Sequence, residues 1–339
     1  MTYKEFIEEW ESESGFCAVT TSGSTGTPKS IRLPKALMRL SALRTISFFC
    51  LGPSTRLHSC ISPDFIGGKM MAVRALICGA EFSWEEPSNH PLVPADASGR
   101  MPSLVSVVPS QMLAVVEGIE SGRHPRWAEP RYLVGGAPLP TGLRRRISAL
   151  GLEAWESYGM TETASHIAVR RIGVAEEGFR PLPGVKVGAS ESGCLVIDQG
   201  YRPEGPSGEE DNPLFSTPLS TNDIAELAPD GSFSILGRAD NVIISGGKKI
   251  HPEMVEKRLS PYMEGREYML TGVPDPKWGT RAELLVERLS PSDSPSPSAL
   301  LDRLRSLPGG VIPRPELPKA ILVVDSLPRT PNGKLRRKG

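Results

Sequence analysis

The sequence has few cysteines and no long apolar run. Its five cysteines are scattered over 339 residues, are odd in number and form no Cys-x-x-Cys pair. This spacing argues against a disulfide framework or a zinc site and favours a reducing compartment, so we expect a cytoplasmic protein. No apolar stretch approaches the roughly 20 residues of a membrane-spanning helix, and the acidic, amphipathic start of the chain is unlike a secretory signal.

The chain also lacks an excess of either charge. Lys and Arg number 39, as do Asp and Glu, so the formal net charge at pH 7 is 0. Without a net field, neither nucleic acid nor an anionic membrane is an expected partner. Small molecules are therefore the expected ligands, and the sequence leaves open whether the protein forms a homo-oligomer. The length suits one large domain plus a smaller one.

Short apolar runs alternate with stretches of helical periodicity from about residue 33 to 240. An example is the apolar run at 103–109, which precedes a helical pattern. This alternation predicts an α/β fold with mostly parallel sheets, whose ligands bind in loops at the carboxyl ends of the strands. The remainder, from residue 240 to 339, predicts a compact α+β unit with its own core.

A run of glycines and hydroxyl-bearing residues stands near the start of the chain. Glycines let backbone N–H groups approach a ligand, hydroxyls donate to phosphate oxygens, and Lys29 adds a positive charge. The run predicts a triphosphate cradle, although Pro28 stands where a Walker loop has its second glycine. A flexible Gly/Ser linker is the alternative. The candidate ATP-binding residues here are Thr21, Ser22, Gly23, Ser24, Thr25, Gly26 and Lys29.

Two further segments end predicted strands, at 135–138 and 157–163. In the second, Tyr158 can stack on a purine, Thr161 can donate to a phosphate, and Glu162 offers a carboxylate to Mg²⁺. Each segment alone is also typical of an ordinary strand-end turn. The candidate ATP-binding residues in these segments are Gly136, Ala137, Pro138, Ser157, Tyr158, Gly159 and Met160.

Two charged segments follow later in the chain. Asp223 can accept hydrogen bonds from both ribose hydroxyls, and Arg238 can reinforce that contact, with Asp240 close by in sequence. A surface ion pair is the alternative interpretation of these residues. The second segment, 331–334, ends in Lys334, and a basic tail is otherwise usually a solvated end.

In this order along the chain, the motifs resemble those of one superfamily. They are Thr-Ser-Gly-Ser-Thr-Gly-x-Pro-Lys at 21–29, Tyr-Gly-x-Thr-Glu at 158–162, Gly-Arg-x-Asp at 237–240 with Gly-Gly following, and Pro-x-Gly-Lys at 331–334. Together they resemble the acyl-CoA synthetases, peptide-synthetase adenylation domains and luciferases. The resemblance runs from about residue 20 to 335, nearly the whole chain.

The resemblance implies an AMP-binding (adenylation) domain at 1–239, with mostly parallel sheets and a short β-rich subdomain, and a small mobile α+β domain at 240–339. Asp240 is the implied hinge. The phosphate run lies earlier than in typical members, so the first domain is expected to be shortened at its N-terminus, either by truncation or because the chain belongs to a short branch.

The resemblance also implies a two-step ligase that needs ATP, Mg²⁺ and CoA. The acid is first converted to acyl-AMP, and a thiol then accepts the acyl group. Lys334, Thr161 and Glu162 are the implied catalytic residues, with Glu162 as the metal ligand. The implied CoA-binding residues are Gly246, Gly247 and Lys248.

The acid substrate is suggested by two stretches, 65–71 and 157–168, which look like those of o-succinylbenzoate-CoA ligases of menaquinone biosynthesis. The implied acyl-substrate contacts are Phe65, Gly68, Lys69, Ser165 and His166. Three alternatives remain open. They are a ligase for another aryl or short acyl acid, an enzyme that loads a carrier protein, and a degenerate nucleotide-binding module without activity.

Overall fold

The structure is a computed structural model that describes residues 1–21, 29–173, 177–201, 218–263, 265–290, 293, 295–308, 311–329 and 335–337. The chain divides into two compact units. The first unit comprises 1–188, 196–219 and 227–233, and the second comprises 189–195, 220–226 and 234–339. The domain boundary expected at 239/240 falls inside the second unit and stays a prediction.

The helices and strands of the first half of the chain alternate as the sequence predicted. The helices are α1 (Tyr3–Glu11), α2 (Lys35–Phe49), α3 (Ile66–Cys78), α4 (Pro109–Glu120) and α5 (Thr141–Ala149). The strands are β1 (Phe16–Thr21), β2 (Lys29–Pro34), β3 (Arg56–Ser59), β4 (Glu81–Trp84), β5 (Leu104–Val107), β6 (Arg131–Val134), β7 (Ala154–Met160), β8 (Ser165–Arg171) and β9 (Arg180–Pro181).

A seven-stranded sheet in the order β4-β3-β5-β6-β7-β8-β9 organises the first unit. Neighbours from β4 to β7 pair in parallel, and β8 and β9 are added antiparallel. The central strands β3 and β5 are buried along their whole length, which explains why β5 reads as an apolar run in the sequence. The predicted α/β fold with a mostly parallel sheet is confirmed.

The N-terminal helix α1 is part of this core. Thr2 and Glu5 form a capping box at its start, and Tyr3, Phe6 and Trp10 are buried against α2, α3 and the β1–β2 hairpin. The hydroxyl of Tyr3 donates to the carbonyl oxygen of Ile61 at 2.6 Å. The helix thereby supports the segment that leads into α3.

The later strands are β10 (Lys186–Ala189), β11 (Cys194–Asp198), β12 (Leu219–Leu227), β13 (Phe233–Arg238), β14 (Ile243–Ser245), β15 (Lys248–Ile250), β16 (Tyr268–Asp275), β17 (Gly279–Glu287) and β18 (Ala320–Val324), with helices α6 (Pro252–Leu259) and α7 (Pro297–Arg305). Strands β10 to β13 form a four-stranded sheet in chain order. In the second unit, β17 pairs antiparallel with β16 and parallel with β18.

Helices α6 and α7 contribute Val255, Leu259, Leu300 and Leu304 to the core of the second unit. This arrangement confirms the α+β character predicted for the C-terminal region. Among the described helices, none combines the length and apolar content needed to cross a membrane.

The start of α3 lies unusually close to the chain before it. A Cβ atom added at Gly68 would lie 2.3 Å from the carbonyl oxygen of Ser62 and 2.7 Å from that of Ile61. At the neighbouring Gly67, the nearest atom would be 3.6 Å away, on the side chain of Ile61. Gly68 is therefore required by backbone packing.

We predict that Gly68→Ala destabilises the protein by about 1–3 kcal/mol, because the backbone must shift to admit the methyl group. Gly67→Ala is the matched control, and it should leave stability unchanged or raise it by up to about 1 kcal/mol through helix propensity. Urea unfolding of both variants measures the difference. Equal stabilities would contradict the close approach at Gly68.

Candidate active site

The two glycine-containing segments predicted to bind ATP lie side by side. They follow β6 and lie within and after β7, which are adjacent parallel strands. A Cβ atom added at Gly135 would lie 2.5 Å from Oγ of Ser157, and that hydroxyl donates to the carbonyl oxygen of Val134 at 3.1 Å. Gly136 has a φ of +90°, a conformation that favours glycine. Both segments therefore lie at the carboxyl edge of the sheet, where the α/β pattern places ligand-binding loops.

A buried carboxylate, that of Glu156, supports both loops. It forms ion pairs with Arg144 and with Arg170, the latter at 2.8 Å, and it accepts a hydrogen bond from the backbone N–H of Leu139 at 3.2 Å. Glu156 immediately precedes Ser157, while Leu139 immediately follows the candidate segment 135–138. The ion cluster therefore fixes the two segments relative to each other.

The turn between β7 and β8 brings several candidate residues together. The aromatic ring of Tyr158 packs edge-to-face on Phe233 with centroids 5.3 Å apart. Gly159 is needed for close packing, since a Cβ atom there would lie 2.2 Å from the carbonyl oxygen of Ser165. The hydroxyl of Thr163 accepts from the N–H of Met160 at 3.0 Å and lies 2.7 Å from the same Ser165 oxygen.

Thr161 and Glu162 occupy the short helical turn that follows β7, and both side chains are half-buried. The Glu162 backbone carbonyl accepts from the Gln199 amide at 3.4 Å. Its carboxylate forms no hydrogen bond or ion pair with the described residues. A partly exposed carboxylate of this kind suits Mg²⁺, which binds through one or two carboxylates together with phosphates.

Two consecutive non-glycine residues, Ala164 and Ser165, have positive φ angles of 50° and 84°. Such backbone conformations cost about 1–3 kcal/mol each and persist only where the surroundings hold them. The hydroxyl of Ser41, on α2, donates to the carbonyl oxygen of Ala164 at 2.7 Å. Strain of this type clusters at functional sites, which marks this turn as a candidate.

His166 is buried beside this turn. Its Nε2 lies 3.1 Å from the hydroxyl oxygen of Thr45, and its Nδ1 lies 3.4 Å from a guanidinium nitrogen of Arg74. A guanidinium can only donate, so Nδ1 is the acceptor and Nε2 carries the proton toward Thr45. Burial, followed by the nearby charge of Arg74, holds the pKa of His166 well below its usual value, and the ring is neutral at pH 7.

Arg74 is a functional candidate that the sequence did not reveal. Its side chain is fully buried, and it also reaches Oγ of Ser165 at 3.4 Å. Burial lowers its pKa to about 9, so it stays charged at pH 7. Among the described residues, Nε of Arg74 has no hydrogen-bond partner and no carboxylate forms an ion pair with the guanidinium. A buried cation of this kind is suited to receive an anionic ligand.

The sequence suggested that Lys69 lies with Ser165 and His166 at the acyl group, but the structure does not bring Lys69 to these two residues. The ammonium group of Lys69 lies against α1, 4.4 Å from the ring centroid of Phe6 and 3.9 Å from Oε2 of Glu9. The same side chain is 1% exposed. Gly68 is explained by backbone packing, and Phe65 is exposed at the start of α3.

In the second unit, the candidate ribose-binding residues pair with each other. Arg238 contacts Asp223 at 3.2 Å and Asp240 at 2.9 Å. This is the surface ion pair given above as the alternative, so a ligand role for these side chains stays a prediction.

The candidate CoA-binding residues lie at the hairpin between β14 and β15. Gly246 and Gly247 have φ angles of 55° and 76°, as a tight two-residue hairpin turn requires. The N–H of Gly246 donates to the carbonyl oxygen of Trp278 at 3.0 Å, and Lys248 is exposed. The turn geometry accounts for both glycines, so their contact with CoA also stays a prediction.

Two candidate runs lie outside the described residues, namely 22–28 and 330–334 with Lys334, as do the side chains of Thr21 and Lys29. The residues that flank each run pair with each other. Thr21 pairs with Lys29 in the β1–β2 hairpin, and Arg329 forms an antiparallel bridge with Leu335. Beyond the second run, Arg337 forms a 2.6 Å ion pair with Glu256 of α6. The described residues on either side of each run are therefore paired.

Known proteins are similar to this chain in sequence and in fold. A 2-succinylbenzoate–CoA ligase of Listeria monocytogenes is 26% identical, over 98% of this chain and 71% of its own length. A solved acyl-CoA synthetase (AMP-forming)/AMP-acid ligase II-like protein from Dyadobacter fermentans is 31% identical, with a TM-score of 0.60 over 98% of this chain and 90% of that one. The o-succinylbenzoate CoA synthetase of Bacillus subtilis shares the fold, with a TM-score of 0.78. It is 23% identical, and the match covers 94% of this chain and 67% of that one.

The fold and the site define an adenylate-forming enzyme that depends on ATP. The chain belongs to the AMP-binding enzyme family, whose model matches residues 5–209. Within that family it is an AMP-forming acyl-CoA synthetase.

We predict that Glu156→Gln destabilises the protein by about 3 kcal/mol, because it removes the negative charge with which Arg144 and Arg170 pair at a largely buried site. The KM for ATP should rise as well, since the segment ending at Leu139 loses its anchor. Glu120→Gln is the matched control, because Glu120 pairs with Arg146 on the surface, and it should change stability by no more than about 0.5 kcal/mol. Denaturant unfolding and ATP kinetics of both variants measure these effects, and equal results would contradict the anchoring role.

Proposed function

We propose that the chain is an o-succinylbenzoate–CoA ligase. In the first step, one carboxylate oxygen of the acid attacks the α-phosphorus of ATP, and pyrophosphate leaves. In the second step, the thiol of CoA attacks the acyl carbon, AMP leaves, and the thiol proton passes to solvent. A ligase of this kind would serve menaquinone biosynthesis.

The observation that carries this proposal is the buried charge of Arg74. o-Succinylbenzoate is an aromatic acid with two carboxylates, of which one reacts and the other stays charged. A buried carboxylate without a partner costs several kcal/mol, so a pocket for this acid needs a cation. Arg74 is such a cation, it has no described carboxylate partner, and it contacts Ser165 and His166, two of the residues expected at the acyl group.

The proposal assigns roles to the remaining candidates. Glu162 would hold Mg²⁺, which supplies positive charge to the phosphates, while Thr161 donates to a phosphate oxygen and Tyr158 stacks on the adenine. Lys334 would stabilise charge on the reacting oxygens during adenylation. The domain from residue 240 would then move about Asp240, so that Gly246, Gly247 and Lys248 line the path of the thiol.

A ligase for another aryl acid is the second candidate. It is favoured by the similarity to the Dyadobacter protein, which is named as an AMP-forming synthetase without a particular acid. Pyrophosphate release with ATP and Mg²⁺, measured across o-succinylbenzoate, benzoates, short fatty acids and amino acids, separates the two. Each acid is measured with CoA and with a phosphopantetheinylated carrier protein. Turnover that is highest with another acid would reject the first proposal and retain the reaction class.

We predict that Arg74→Met lowers kcat/KM for o-succinylbenzoate by about 10- to 100-fold, the loss expected for hydrogen bonds to a charged group. The value for 4-oxo-4-phenylbutanoate, which lacks the ring carboxylate, should change little, as should KM for ATP.

Because Arg74 is buried, Arg74→Lys serves as a second variant that keeps the charge, and thermal melting establishes that both variants fold. Lys69→Met is the matched control on the same helix, and it should not discriminate between the two acids. An equal loss for both acids in Arg74→Met would reject Arg74 as the carboxylate partner.

We predict that Lys334→Ala slows adenylation by about 100-fold or more, as for other groups that stabilise transition-state charge. Thioester formation from supplied acyl-AMP and CoA should largely survive. Lys257→Ala, on α6, is the control for the loss of one lysine charge from the chain. If both half-reactions fall equally in Lys334→Ala, the proposed division between the two steps is wrong.

A further inference from the structure

Three side chains of metal-binding type meet outside the candidate active site. His58 belongs to β3, Cys60 follows that strand directly, and Glu85 follows β4 directly. The two strands pair in parallel, with Ser59 opposite Trp84, so the residues that follow them emerge side by side. One ligand atom from each of the three residues lies within 4.8 Å of the other two.

The cluster is largely buried and incompletely satisfied. His58 and Cys60 are 0% exposed, and Glu85 is half-buried. Oε2 of Glu85 accepts from the N–H of Leu92 at 2.6 Å. The thiol of Cys60 faces the same carboxylate as a weak donor, and among the described residues the buried Oε1 has no stronger hydrogen-bond partner. A buried carboxylate oxygen with only a weak donor is costly, and a bound cation would offset that cost.

The imidazole of His58 is held in place at both of its ring nitrogens. Its Nδ1 lies 2.9 Å from Oγ of Ser83, and its Nε2 lies 3.0 Å from the carbonyl oxygen of Leu92. The backbone of Leu92 thus contacts both Nε2 of His58 and the carboxylate of Glu85. One ligand atom of each of these two residues lies within 4.8 Å of the other. A hydrogen bond from Nδ1–H to Ser83 would orient the ring for a metal at Nε2.

We propose that Nε2 of His58, Sγ of Cys60 and Oε1 of Glu85 bind one Zn²⁺ ion. Zn²⁺ accepts nitrogen, sulfur and oxygen ligands together, whereas Mg²⁺ prefers oxygen, so this site differs from one for the Mg²⁺ of ATP. A water molecule completes the four ligands from the side of Leu92, which is 62% exposed and marks the entry path.

Binding proceeds with a balanced exchange of protons and bonds. The thiol of Cys60 releases its proton to solvent as the zinc–sulfur bond forms, and the thiolate and the Glu85 carboxylate together neutralise the charge of the ion. The imidazole proton moves from Nε2 to Nδ1, and the Nδ1–H group then donates a hydrogen bond to Oγ of Ser83. The hydrogen bond from Nε2 to Leu92 is lost. The ion thereby ties the ends of β3 and β4 to the segment up to residue 92.

The proposal does not depend on the acid substrate, and its test needs no activity. The full chain, free of nucleotide, is titrated with Zn²⁺ by calorimetry and with Co²⁺ as a spectroscopic probe. We expect one equivalent of Zn²⁺ per chain, a thiolate-to-cobalt charge-transfer band in the near ultraviolet, and a higher Tm with zinc. Cys60→Ser should abolish the band, whereas the matched control Cys78→Ser, at a half-buried cysteine of α3, should retain it.

Because Cys60 lies in the core, Glu85→Gln is a second variant that keeps the shape of the side chain and the acceptor for Leu92. It should weaken zinc binding by at least about 10-fold, since even residues that only orient a ligand contribute that much. No charge-transfer band in the wild-type chain, a band that persists in Cys60→Ser, or unchanged zinc affinity in Glu85→Gln would each overturn the proposal.

Discussion

A positive charge enclosed by the protein is the constraint on which the candidate acyl site depends. Arg74 is fully buried, and an isolated buried ion costs several kcal/mol unless partners offset it. His166 supplies one acceptor, and it can do so because the same burial keeps its ring neutral. Ser165 supplies a second contact from the strained turn. These two contacts leave part of the free-energy cost of burying the Arg74 charge, and an anionic ligand would offset that part. Binding of such a ligand would then depend on an ordered turn at Ser165.

The two cations of α3 show how one helix serves two purposes. Lys69 and Arg74 are five positions apart, and with 3.6 residues per turn they point about 140° apart around the helix axis. Lys69 faces α1, where Phe6 and Glu9 surround its ammonium group. Arg74 faces β8 and meets no described carboxylate. The first charge is therefore balanced within the protein, whereas the second is the charge that we propose an acid substrate meets.

The same helix shows how far the sequence could predict the structure. A buried parallel strand such as β5 reads as an apolar run because both of its faces are covered, so the mostly parallel sheet and the edge that carries its ligand-binding loops were predictable. A resemblance to a family indicates which residue types to expect, but it does not indicate the directions of their side chains. Helix α3 is nearly all apolar, so its hydrophobic pattern does not show which of its two cations faces the site. The stretch that carries the resemblance, 65–71, contains Lys69, so the sequence predicts that residue as an acyl contact and does not indicate Arg74. His58, Cys60 and Glu85 meet only through the pairing of β3 with β4, which periodicity does not specify.

The backbone at 164–165 indicates what the site requires. Glycine would adopt these positive φ angles without strain, yet the chain has alanine and serine there, at a cost of about 1–3 kcal/mol each. At position 165 a glycine would remove the hydroxyl that reaches Arg74, and at position 164 it would remove a methyl group from the core. The bonds from Ser41 and Thr163 to the turn help to offset the strain. The conformation is therefore maintained by side chains that a relaxed turn would not need, and that is evidence that the position of Ser165 matters.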